Sequence, residues 1–266
     1  MASVGNPEVV AAPLALYGWA MGLGRPRLLV GLAVGLAVSG GLAGAWAGGL
    51  ILHDTSRPES IRDALARFRL ADPRPSAADG VYLYATTGGE SVSALGGAHH
   101  PYPATTALIV RRTGCGHELR WDALQTRSTT WLLCRGPGGL ELRRSSEVHR
   151  FFGFGDVTTY ACKGSVVRPA VARPGDAWRY SCTSGKGVEE GDGAVVSAAD
   201  IVHVRTTGHV RSGDEGTEIV DWWFRRGSDV PVRLVLSSRT SRKEFVGRVR
   251  YSEDADLRLS EPAPLR

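Results

Sequence analysis

Residues 201–236 read IVHVRTTGHVRSGDEGTEIVDWWFRRGSDVPVRLVL, and their alternation decides the fold. Val202, Val204, Thr206 and Val210 alternate with His203, Arg205, Thr207 and His209. Val230, Val232, Leu234 and Leu236 alternate in the same way with Pro231, Arg233 and Ser237. A period of two sends successive side chains to opposite faces of a strand, so one face is core and the other is wet. The connections Ser212-Gly213-Asp214-Glu215-Gly216 and Arg226-Gly227-Ser228-Asp229 are short and turn-like, which makes sequence neighbours into spatial neighbours, as in an antiparallel meander. Strands of about ten residues in this order curl under their own twist, so the expected fold is mainly β, a curved sheet or half-open barrel. Val204, Leu234 and Val249 should point into its core, because burying Arg205, Arg233 and Arg250 unpaired would cost several kcal/mol.

The same pattern begins at Gly80 and extends upstream and downstream of the quoted stretch. Strands are expected near residues 81–87, 105–112, 115–121, 128–135, 140–151, 157–166, 177–183, 194–209, 217–225, 230–241 and 245–259, with a single turn of helix over 91–96. Trp222, Trp223 and Phe224 alternate faces, so one aromatic must leave the core, either covered or lining a ligand groove. The wet face of the late strands carries His203, Arg205, Asp221, Arg233, Arg248 and Arg250, read as a solvated face or as an anion or headgroup site. Trp222, Trp223, Arg205, Arg233, Arg248 and Arg250 are thus the candidate ligand-facing residues.

Four cysteines add constraints. A hairpin turning at Ala123 to Thr126, with Trp121 opposite Ser128, also sets Cys115 opposite Cys134. Cys162 faces Cys182 if the strand ending near Val166 returns through the loop from Arg168 to Asp176. Two local bridges would each stabilise by about 3 kcal/mol and would call for an oxidising compartment. Sequence alone leaves the other two connectivities open.

Before the β region, Leu28 to Leu52 read LLVGLAVGLAVSGGLAGAWAGGLIL, 25 residues without a charge. At 1.5 Å per residue such a helix exceeds a hydrocarbon core of about 30 Å, so it is read as a membrane span. Arg25 and Arg27 precede it and Arg57, Arg62, Arg67 and Arg69 follow, so counted charge favours the inverse orientation; the cysteines place the C-terminal domain outside. The alternative is cleavage near Ala47, at Ala45-Trp46-Ala47, and secretion. Gly31/Gly35, Gly40/Gly44 and Gly44/Gly48 would allow a weak span-mediated homodimer. Ser56-Arg57-Pro58-Glu59 has the form of a capping box, and Ile61, Leu65 and Phe68 then share one helical face, directed at headgroups or at the domain. Pro73 and Pro75 end that helix. The expected organisation is a cytoplasmic segment (1–27), the transmembrane helix (28–52), a juxtamembrane helix and linker (53–79), an extracytoplasmic β domain (80–260) and a tail (261–266).

Composition excludes some classes. The net charge of +5 is spread in ones and twos, only three of 32 basic residues are Lys, and no basic run is interleaved with aromatics, so no nucleic-acid partner is expected. CxxC, HExxH, GxSxG, Walker and GxGxxG patterns are absent, so no catalytic residue, cofactor or metal site is assigned. His99-His100 reads as a solvated loop, and Glu189-Glu190-Gly191-Asp192 and Glu253-Asp254-Ala255-Asp256 read as solvated acidic turns.

The run from Gly80 to Glu90 (GVYLYATTGGE), Leu95-Gly96-Gly97, Tyr102-Pro103, the Cys115 to Cys134 segment with Trp121 and Trp131, and Asp221-Trp222-Trp223-Phe224 before Val230-Pro231-Val232-Arg233 resemble an actinobacterial family of single-span membrane proteins with a four-cysteine extracytoplasmic β domain. The resemblance covers most of residues 80–260 and implies no assigned functional residue. At the level of fold, the Trp-rich strand, turn and Pro-led strand are similar to curved-sheet lipoprotein carriers of the LolA and LppX type, from which this chain differs in having no lipobox Cys and no long lid helices. The expected function is a membrane-anchored binding or envelope-scaffold module for a lipid or envelope component. A partner or regulator acting through the span is the alternative, and an enzyme is the weakest reading.

Overall fold

The computed structural model describes residues 54, 56–71, 76, 78–152, 154–211, 214–244 and 247–266. The expected N-terminal segment, the span at 28–52 and the prolines Pro73 and Pro75 lie outside the described residues. Among the described residues no helix is long and apolar enough to cross a membrane.

One helix, α1 (Ile61–Ala71), precedes the sheet. It starts later than the Ser56 capping box would have it. Arg57 O accepts from the Gln125 amide, Pro58 bridges Leu124, and the Glu59 amide donates to Ala123 O, so residues 57–59 are held extended along the turn of a later hairpin. Ser60 caps instead: its Oγ accepts from the Asp63 amide at 3.1 Å and donates to Asp63 Oδ2 at 2.6 Å. Ala64, Leu65 and Phe68 then pack on Val81, Ala107 and Ile109, so the apolar stripe covers the domain.

The strands are β1 (Gly80–Val92), β2 (Ala98–Pro101), β3 (Thr105–Arg112), β4 (Gly116–Leu124), β5 (Arg127–Gly136), β6 (Gly139–Phe151) and β7 (Phe154–Lys163). They continue with β8 (Val166–Pro169), β9 (Ala177–Thr183), β10 (Val188–Ala198), β11 (Ile201–Arg211), β12 (Asp214–Arg225), β13 (Pro231–Glu244) and β14 (Gly247–Leu259). The fold is mainly β and antiparallel, a meander in which β7 pairs β9 while β8 folds back on β6. The expected half-open edge is closed. β14 returns along β1, from Tyr84 opposite Leu259 to Val92 opposite Tyr251, so every strand except β2 and β8 joins one ring. Closure pairs two edges that would otherwise expose unsatisfied backbone groups. β1 can serve three partners because it bends at Gly88 (φ 114°), leaving β3 for β2; a Cβ there would stand 1.9 Å from Asp254 O of β14.

Both disulfides form as the hairpins suggested, Cys115 with Cys134 and Cys162 with Cys182. Cys162 and Cys182 are directly opposite. The first hairpin is one residue out of the expected register: Gly116 faces Cys134 and Trp121 faces Thr129, because the chain bulges between Asp122 and Leu124 and turns at Gln125-Thr126.

One end of the ring carries the connections around 113–115, 137–138, 199–200 and 226–230, here the Asp229 end. The other carries the hairpin turns at 125–126 and 184–187 and those after Phe151, Arg211 and Glu244, here the hairpin end. Inward rows fill the interior. Trp131 of β5 meets Trp222 of β12 edge to face at 5.5 Å, so opposite walls touch, and Tyr84 Oη donates to Pro231 O at 2.5 Å. Val204 and Leu234 are buried and Val249, on the same inner parity but near the hairpin end, is half-buried. Leu234→Ala should cost about 2–5 kcal/mol, whereas Arg233→Ala, on the outer face, should cost about 1 kcal/mol or less. Urea melts of the two variants check the parity: equal losses would contradict it.

Candidate functional site

The inner rows turn polar toward the hairpin end. On β12 the row Phe224, Trp222, Val220 is followed by Glu218; on β14 Leu257 and Ala255 are followed by Glu253 and Tyr251; on β5 Leu133 and Trp131 are followed by Thr129 and Arg127. β6 adds Glu147 and His149, and β10 adds Glu189. These groups line two small voids of about 30 and 20 Å³, both walled by Glu147, Glu218 and Trp131. Such volumes hold a water molecule or two.

Arg127 is buried and grips Glu253 at two points, Nε to Oε1 at 3.1 Å and Nη2 to Oε2 at 2.8 Å. Its Nη1 donates to Ser128 O and Thr129 Oγ1. Tyr102 Oη donates to Glu253 Oε1 at 2.6 Å, and Tyr251 Oη reaches Glu253 Oε2 at 3.0 Å and Glu90 Oε2 at 3.1 Å. His149 Nε2 lies 3.3 Å from Glu147 Oε2. Tyr180 Oη donates to Glu189 Oε1 at 2.6 Å, in a space that exists because Gly208 carries no side chain: a Cβ there would meet Glu189 Oε1 at 2.0 Å.

Charge is divided unevenly among these carboxyls. Burial works against Glu253, but Arg127, His149 and the Tyr102 hydroxyl hold it below the usual carboxylate range. Glu147 is likewise held low against its burial, by His149 and Arg127. Burial and Arg127 oppose a charge on His149, yet its contacts with Glu147 and Glu90 raise its pKa. Burial together with Glu147, Glu189 and Glu253 pushes Glu218 well above the usual range. Glu189 is raised too, by burial first, with Tyr180 opposing. Among the described residues no three potential ligands converge as a metal site. The chamber is a set of hydrogen-bonded carboxyl, hydroxyl and imidazole groups around one guanidinium, with voids no larger than a water molecule or two.

The candidate residues of the late strands fall in three places. Trp222 is core, between Trp131 and Phe224. Trp223, Arg205 and Arg233 lie together on the outer face: His203 stacks on Trp223 at 4.1 Å, and the Arg233 guanidinium stands 4.6 Å over the same ring. Arg205 pairs at two points with Asp221, and Arg233 with Asp256. Asp256 is held low by the Arg233 hydrogen bonds. Covering side chains of β11 and β13, rather than a loop, satisfy the outward aromatic. Arg248 and Arg250 sit apart from this group, at the hairpin end.

At the Asp229 end two adjoining clefts of about 670 and 350 Å³ open to solvent, with Arg135 and Gly227 in both walls. Arg168 and Arg226 line the larger, His117, Arg225 and Asp229 the smaller. Their walls are otherwise largely apolar, through Leu140, Pro169 and Val171 on one side and Tyr82, Val230 and Leu259 on the other. Buried Asp229 anchors the floor: Arg168 Nη2 lies 2.7 Å from Oδ1, Arg135 Nη2 2.6 Å and His117 Nδ1 3.2 Å from Oδ2. Burial opposes its charge, but those three groups keep it below the usual range. Arg168 also stands over the Phe224 ring at 5.7 Å. Arg226 Nε donates to Ala199 O, while exposed Arg225 has no ion-pair partner among the described residues. Four guanidinium groups thus meet one carboxylate in these walls.

Neither the chamber nor the cleft was singled out from sequence. His100, read as a solvated loop residue, is buried, stacked on Phe151 at 4.8 Å. Glu189 and Glu253, read as solvated turns, lie inside β10 and β14 with inward parity. Extending the apolar row from Leu257 and Ala255 by two residues would have found Glu253. The cleft has no such signal, because its arginines come from three separate parts of the chain: Arg135 in β5, Arg168 in β8, and Arg225 and Arg226 where β12 ends.

No family model, curated protein or solved structure matches the chain.

A carboxyl whose pKa is raised by folding binds a proton that the unfolded chain releases, so stability falls as pH rises above the ordinary glutamate value. Glu218→Gln removes that loss. It should raise Tm at pH 8 and leave it nearly unchanged at pH 4, each pH unit of retained proton counting for about 1.4 kcal/mol. A variant less stable than wild type at pH 8 would show Glu218 to be charged in the fold.

Proposed function

We propose that this chain is a membrane-tethered, extracytoplasmic binding module that takes an anionic, partly apolar envelope component at the Asp229 end. The observation that carries the reading is the cleft itself, four arginines against one carboxylate over apolar walls. Arg135 and Arg168 are engaged with Asp229, which fixes the floor, whereas Arg225 and Arg226 are exposed residues of the walls and can give charge-assisted hydrogen bonds to a phosphate or carboxylate. The apolar walls suit the first carbons of a lipid or the face of a sugar. An acyl chain drawn into the ring, as in the curved-sheet carriers, finds no room beside touching Trp131 and Trp222.

Two further observations support the address. Both disulfides belong to an oxidising compartment. The 25-residue uncharged stretch at 28–52 is long enough to anchor the chain. The outer-face residues Trp223, Arg205 and Arg233 are less suited to a ligand, because Asp221 and Asp256 already neutralise both arginines.

A phosphatase reporter fused after Arg266 should be active, and an active cytoplasmic reporter there would overturn the placement. For the ligand, native mass spectrometry of the full chain extracted from its own membranes should show a co-purifying anion. Arg225→Ala with Arg226→Ala should weaken its retention by about 10–100-fold, the worth of one or two charge-assisted bonds. Unchanged retention would move the site elsewhere.

A further inference from the structure

The chain enters the domain at the hairpin end. Asp54 Oδ2 lies 3.3 Å from His100 Nε2, Ser56 Oγ bonds Thr126 Oγ1, and α1 then runs down the outside of β1 and β3 until Arg69 reaches Arg266 O near the Asp229 end. Asp54 is only two residues after Leu52, a reach of at most about 7 Å. The hairpin end, opposite the cleft, is therefore the end at which the chain that follows the uncharged stretch arrives.

That end is also cationic where it projects farthest. β13 and β14 are among the longest strands, and between Thr240 and Tyr251 they carry Arg242, Lys243, Arg248 and Arg250 against Glu244. All four cations are exposed. Arg248 lies 3.6 Å from exposed Glu215 of the next hairpin, and Arg211 is 3.9 Å from exposed Glu190. The β6–β7 hairpin adds exposed Arg150 and half-buried Phe151, with half-buried Phe152 at its turn in the left-handed region at φ 53°. The β9–β10 turn adds exposed Lys186. Basic residues beside aromatic ones suit a headgroup layer, where cations meet phosphates and rings rest at the interface.

We propose that the hairpin end docks on the anionic phospholipid surface of the membrane, holding the domain upright so that the cleft faces away from it. The inference rests on reading 28–52 as a span. Arg150, Arg242, Lys243 and Arg250 make the lipid contact, and Phe152 seats among the headgroups. The Asp229 end stays wet.

The test is hydrogen exchange of the full chain in nanodiscs of phosphatidylcholine alone or with phosphatidylglycerol. Docking predicts that amides of residues 239–250 and 150–152 exchange about tenfold more slowly in the anionic discs, that 0.5 M salt removes the difference, and that amides 226–230 are unaffected by lipid. Lys243→Glu with Arg250→Glu should abolish the lipid dependence while leaving exchange in the anionic discs equal to that of wild type in the neutral ones. Exchange at 239–250 that ignores lipid charge, or slows equally at 226–230, overturns docking and leaves the tether standing. A chain that does not stay with the discs in 0.5 M salt overturns the span reading, and the docking with it.

Discussion

The buried pair of Arg127 and Glu253 sets what the rest of the ring can be. Its side chains are 2% and 4% exposed, and it joins β5 to β14 across the interior rather than along the sheet. A pair taken out of water forfeits its hydration, and Coulomb attraction makes this good only when the remaining hydrogen bonds are met. Here they are. Glu253 receives both Arg127 contacts and the Tyr102 and Tyr251 hydroxyls, and Arg127 also finds Ser128 O and Thr129 Oγ1. Toward the Asp229 end the interior is tryptophan and leucine; around the pair it is carboxyl groups. Arg127 holds Glu253 and Glu147 below the usual carboxylate range, and burial together with their charge pushes Glu218 well above it.

That gradient gives the two ends different chemistry. The apolar half is closed by connections that bring Arg135, Arg168, Arg225 and Arg226 around Asp229 from separate parts of the chain. The polar half is closed by hairpins whose inner groups bond among themselves in part, Arg127 to Glu253 and Tyr180 to Glu189, while exposed Lys243 and Arg250 give it external charge. A ring that is filled throughout presents ligands only with its ends and its outer wall. On the outer wall beside Trp223, Arg205 is paired with Asp221 and Arg233 with Asp256.

Much of the fold is legible in residues 201–236 because period-two alternation is local, and a buried Val204 beside an exposed Arg205 fixes parity whatever the partner strand. Ring closure is not local. Nothing within β1 or β14 announces their pairing, and a bulge between Asp122 and Leu124 shifts a hairpin by one residue without altering its disulfide. Glu218 and Glu253 were readable as inward by parity, yet polar residues at core positions are discounted unless a partner is in view, and Arg127 lies 126 residues from Glu253. The α1 cap moved from Ser56 to Ser60 for a similar reason: the β4–β5 turn claims residues 57–59.

The central claim is that Arg127 supplies the counter-charge on which the acidic interior stands, and a double-mutant cycle measures it most directly. Arg127→Met, Glu253→Gln and the double variant would be compared by urea melts at pH 7. The account predicts that Arg127→Met alone costs about 3–5 kcal/mol, and that the double variant is more stable than the sum of the single losses by about 1.5 kcal/mol or more, since each change removes what the other leaves unpaired. Losses that add to within about 0.5 kcal/mol would contradict it.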